Sequence, residues 1–142
     1  MGGQRAPAVR SCNHPKNRFA PLSTRAQGLF QEIFMHLLNR FREAIIEYKN
    51  VVQIDPKDAK VHNKLGLSHL KVGQLREAFF EFTKSVEFNP DLLDARIQLG
   101  NLYLLSKDPK KAREQADYVF KREPNNPSGR LLMSSVYWKK RI

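Results

Sequence analysis

Between Leu75 and Val86 the apolar side chains fall at Leu75, Ala78, Phe79, Phe82 and Val86, offsets of 3, 4, 7 and 11 that place them on one stripe of an α-helix. The preceding stretch, Ala59 to Val72, keeps the same spacing through Val61, Leu65, Gly66, His69 and Val72. Gly73 and Gln74 separate the two stripes, and Asn89, Pro90 and Asp91 close the second. The pattern therefore predicts a pair of short amphipathic helices joined by a tight turn.

The pair recurs every 34 residues. Pro56, Pro90 and Pro124 share one column, Ala44, Ala78 and Ala112 a second, and Gly66 and Gly100 a third that Ser134 continues. Arg42, Arg76 and Lys110 form a supporting column, as do Glu43, Glu77 and Lys111. Helices are predicted over about 25–38, 41–53, 59–71, 75–87, 93–106, 109–121 and 127–140. Asp108 before Pro109 reads as an N-cap followed by proline at the first helical position, where its missing N–H costs nothing. A glycine inside a helix costs about 1 kcal/mol relative to alanine. Gly66 and Gly100 are therefore expected to face Ala78 and Ala112, small against small, and to let the helix axes close to roughly 8–10 Å.

On these residues the chain resembles the tetratricopeptide repeat family. The family pattern is met by Leu65, Gly66, Ala78, Phe82 and Pro90, and in the next period by Leu99, Gly100, Tyr103, Ala112 and Pro124; Ala44 and Pro56 continue two of its columns into the first period. The chain departs from the pattern at His62, where the family often has Trp, at His69, where it has Tyr, and at Glu32, where a small residue belongs. The resemblance implies an all-α, right-handed α-solenoid of antiparallel helix pairs, with repeats over about 25–58, 59–92 and 93–126 and a partial repeat or capping helix over 127–142. Residues 1–24 are expected to form a basic, disordered tail.

The resemblance also implies where such a protein works. The first helix of each pair lines a concave groove, and the family's groove columns fall on Lys60, Asn63, Lys64, Leu67 and Lys71, then Asp94, Ile97, Gln98, Asn101 and Leu105, then Leu131, Ser135 and Trp138. Such a face suits the backbone and carboxylates of a bound peptide or helix, so the partner is expected to be a protein. The family's carboxylate clamp is not kept: its first-repeat positions hold Leu29 and Ile33, and its third-repeat positions Asp94 and Gln98, with Lys60 and Lys64 a fragment of it.

Composition changes this picture in one place. The chain has 142 residues and a net charge of +11, of which +5 comes from Arg5, Arg10, Lys16, Arg18 and Arg25 in a stretch of 31 residues without Asp or Glu. An alternative function follows, an adaptor contacting nucleic acid or membrane through this tail and through Lys107, Lys110, Lys111, Arg113, Lys121 and Arg122. Its support is weak, because stacking aromatics are not interleaved with the tail's basic residues. An acid-free basic leader also makes organellar targeting the alternative to a cytoplasmic location. The apolar runs are too short for a transmembrane helix, and a single cysteine, Cys12, excludes an internal disulfide.

Catalytic motifs and metal-ligand spacings are missing from the sequence, so neither enzyme activity nor a cofactor is expected. His62 and His69 are expected to pack as core imidazoles, and Glu77 and Glu81, with Lys84 near them, to form a solvated charged face. Tyr137, Trp138 and Ile142 are expected to lack a covering helix, as in a capping helix, a fragment of a longer array, or a surface that pairs with another copy.

Overall fold

The computed structural model describes Gly2, Gly3 and residues 24–141, and the side chains of Lys140 and Arg141 are not among what it describes. The expected tail over 1–24 lies almost wholly outside the described residues, as do Cys12 and Ile142. Six helices follow one another: α1 Thr24–Ile54, α2 Ala59–Val72, α3 Leu75–Phe88, α4 Leu93–Leu105, α5 Pro109–Arg122 and α6 Pro127–Arg141. No strand occurs among the described residues. The chain falls into two units, 1–34 and 35–142.

Within the larger unit, from α2 onward, each helix packs on the next, α2 on α3, α3 on α4, α4 on α5 and α5 on α6, while α4 also reaches α6. This is the helix-pair solenoid. Its turns follow from local chemistry. Asp58 caps α2 by accepting from the backbone N–H of Lys60 at 2.9 Å and of Val61 at 3.3 Å. At the far end Gly73 takes φ 87°, the left-handed conformation that lets the Gln74 N–H reach the His69 carbonyl at 2.9 Å. One period later Lys107 occupies the same turn at φ 63°, with the Asp108 N–H on the Tyr103 carbonyl at 2.9 Å. Asp108 then caps α5 on the Lys111 N–H, with Pro109 opening the helix.

One expected turn is absent. The break between 38 and 41 does not occur, and α1 runs unbroken for 31 residues. The column that holds Gly73 and Lys107 holds Asn39 one period earlier, and neither a glycine nor a following proline stops the helix there. The first period is thus one helix and not a hairpin. In the smaller unit Leu29, Phe30, Ile33 and Phe34 are exposed.

The small-residue expectation is corrected too. The atoms nearest to a side chain at Gly66 belong to the Phe82 ring, whose Cε1 would lie 2.8 Å from an added Cβ, and not to Ala78. Over Gly100 the space is taken by Leu132 of α6, with Cδ2 at 2.6 Å, and not by Ala112. Each glycine makes room for a large apolar group, which buries more surface than a methyl would. The alanines instead join the cores between consecutive pairs. Ala78 and Phe82 pack with Ala95, Leu99 and Leu102 of α4, and Ala112 and Ala116 with Leu104 of α4 and with Leu132 and Val136 of α6. Tyr103 is half-buried between the two clusters, its ring edge-on to Phe79 at 5.2 Å. Pro56, Pro90 and Pro124 are exposed at the inter-pair turns, and Ala44 is half-buried in α1.

Candidate groove

The first helices of successive pairs, α2, α4 and α6, bring their polar faces to one cleft of about 140 Å³ lined by Asn63, Leu67, Asp94, Ile97, Gln98 and Ser128. All of these except Ser128 are groove positions named above, taken from two helices separated by a full period. The helical repeat explains the gathering: Asn63 and Leu67 lie one turn apart on α2, and Asp94, Ile97 and Gln98 fall within just over one turn of α4. Leu67 and Ile97 supply apolar walls. Asp94, Gln98 and Ser128 supply polar groups, and Asp94 has no ion-pair partner among the described residues.

Asn63 is the unusual member. It is 8% exposed, and its side-chain Oδ1 is buried without a hydrogen-bond partner. A buried acceptor left unpaired costs about 1–3 kcal/mol, so a donor that reached this atom would be stabilising. Ser128 has no counterpart in the sequence reading. Its signal was available, since it stands one period after Asp94.

The other groove positions are spread along the same helices. Lys60, Lys64, Lys71, Asn101, Leu105, Leu131, Ser135 and Trp138 are exposed, Trp138 by 67%. The structure does not place them in the cleft. Leu105 instead joins Leu75, Arg76, Phe79, Leu102 and Ser106 around an apolar pocket of about 360 Å³ between α3 and α4. The Ser135 hydroxyl donates to its own helix at Leu131 O, 2.9 Å away.

The histidines belong to the frame. The His62 ring donates through Nε2 to the Pro56 carbonyl at 2.8 Å and meets Glu81 Oε2 through Nδ1 at 2.7 Å, joining α2, α3 and the turn before α2. Glu81 is therefore a half-buried partner of His62, contrary to the solvated face expected for it; its side chain is 14% exposed. His69 is buried and bonds Gln74 at 2.7 Å. Among the described residues no cluster of His, Cys, Asp and Glu could hold a metal ion, and no helix is long and apolar enough to cross a membrane.

The basic surface is partly neutralised. Lys111 pairs with Asp108 at 3.7 Å, Arg113 with Asp117 at 3.7 Å and Arg122 with Asp91 at 3.0 Å. Three of the six surface cations outside the tail that are named above for nucleic-acid or membrane contact thus already face a carboxylate.

Comparison with known proteins agrees with this frame. A model described as a TPR repeat matches residues 36–73, and one described as a tetratricopeptide repeat matches residues 59–92. The chain is 28% identical over 87 residues to an Hsp70-Hsp90 organizing protein of Triticum aestivum, an alignment taking in 61% of this chain and 15% of that protein. It spans 15% and 18% of the length of the curated relatives it matches. Among solved structures, the second TPR domain of human RPAP3, in complex with the HSP70 peptide SGPTIEEVD, superposes with a TM-score of 0.64 at 19% identity, covering 80% of this chain and 89% of that one. The TPR2B domain of yeast Sti1, in complex with pHsp70, gives 0.62 at 20% identity, covering 78% and 90%. At these identities the likeness shows a shared fold.

Proposed function

Because this chain belongs to the tetratricopeptide repeat family, we propose that it is a protein-interaction scaffold that holds a peptide or helix of a partner against the faces of α2, α4 and α6. The observation that carries the reading is the cleft where Asn63, Leu67, Asp94, Ile97 and Gln98 converge, one of its lining residues, Asn63, holding a buried acceptor without a partner. Related folds solved with HSP70 peptides support it by example.

The mechanism is preorganisation. Neighbouring repeats fix the groove side chains before the ligand arrives, so less conformational entropy is lost on association. Leu67 and Ile97 take apolar area from the ligand, and the amide and carboxylate groups set its register. No bond is made or broken. The clamp positions carry Asp94 and Gln98, so the ligand is not gripped by a terminal carboxylate there.

The test is binding of a partner recovered by pull-down with the full chain. Lys64→Ala and Asn101→Ala, both exposed, are expected to weaken it while leaving the helical circular-dichroism spectrum intact. Unchanged affinity in both variants would move the binding surface elsewhere.

A further inference from the structure

We infer that the cleft between α2 and α4 is a pocket for a single Lys or Arg side chain of the bound peptide. The inference rests on the groove reading and names the chemistry of its ligand. Three features of the cleft point to a cation. Among the described residues the one buried side-chain polar atom without a partner is an acceptor, Asn63 Oδ1 of a residue that lines the cleft, so what it lacks is a donor. The carboxylate on the rim, Asp94, has no counter-ion among the described residues. Between these groups lie the aliphatic side chains of Leu67 and Ile97, with Gln98 and Ser128 completing the lining.

A Lys or Arg side chain has the matching anatomy. Its methylene stem packs on apolar walls while its head needs several acceptors, and it carries donors only. The cleft's volume of about 140 Å³ suits one such side chain and not a second residue beside it. A carboxylate is the wrong guest, because Asp94 would repel it and Asn63 Oδ1 would remain without a donor. Lys60 and Lys64 stand on neighbouring turns of α2, outside the cleft lining, and oppose a run of basic residues. The ligand therefore presents one basic residue in a non-basic context.

Selection of short random-sequence peptides displayed on phage, against the full chain, tests this. The selected peptides should share one Lys or Arg at a fixed position, and replacing it by Met should weaken binding about tenfold, the loss of one charge-assisted hydrogen bond. Asp94→Asn, an exposed substitution that spares the core, should weaken the same peptides by a similar factor and remove the basic preference when selection is repeated. Peptides that share no basic residue, or that keep one yet bind Asp94→Asn unchanged, overturn the inference. If those peptides still lose affinity on Lys64→Ala or Asn101→Ala, the groove reading survives alone. Peptides insensitive to all three substitutions, or no peptides at all, count against both.

Discussion

At the scale of single residues, two of the buried glycines, Gly66 and Gly100, are matched to different neighbours, and substitution should tell them apart. A methyl at Gly66 meets the edge of Phe82, a rigid ring that is 0% exposed, whereas one at Gly100 meets the end of Leu132, which can change rotamer. Gly66→Ala is expected to destabilise by about 1–3 kcal/mol despite alanine's better helix propensity, and Gly100→Ala by less, both read from urea unfolding midpoints. Equal gains in stability would contradict the packing. Glu81→Ala should cost about 1–3 kcal/mol by the same measurement, because it strands the Nδ1 side of a buried His62. The glycine and alanine columns were legible in the sequence, but their partners were not. Which side chain enters the space over a glycine depends on the neighbouring helix, and Leu132 lies 32 residues away in the next pair. Burial of His62 was also legible; its tie to Glu81, across 19 residues, was hidden because a carboxylate one turn from another reads as a solvated face.

At the scale of elements, five of the six helices begin and end within about a residue of where apolar spacing and turn residues put them. The exception is α1, where periodicity alone suggested a hairpin and the chain lacks the residue that would make the turn. Helical register continues through Asn39 because asparagine neither forces a left-handed turn nor forbids the helix. Asn39→Ala is therefore expected to leave stability unchanged or raise it by a few tenths of a kcal/mol; a drop in the melting temperature would mean that Asn39 turns the chain. The opposite case is Lys107. It holds a left-handed conformation that costs an L side chain about 1 kcal/mol, and Lys107→Gly should return that stability and raise the melting temperature. Gly73→Ala should lower it for the same reason.

At the scale of the whole molecule, consecutive pairs are joined by more than apolar packing. The Arg96 guanidinium lies 3.6 Å over the Tyr118 ring, donates to the Pro90 carbonyl at 2.6 Å and to Gln115 at 2.9 Å, while Tyr118 donates to Asp91 at 2.8 Å. These contacts hold α5 against α4 and the turn that precedes α4, and so help to set the spacing of the groove helices. The groove itself was legible only through the family resemblance, which marked columns on each first helix. It could not say which of them converge, since that depends on how one pair rotates on the next. Five positions meet in the cleft and the other eight do not. The claim that α2, α4 and α6 form the working face is tested most directly by amide chemical-shift mapping of the full chain with a selected peptide. Shifts concentrated at Asn63, Leu67, Asp94, Ile97, Gln98 and Ser128 are the predicted result. Shifts confined to α3 and α5 would contradict it.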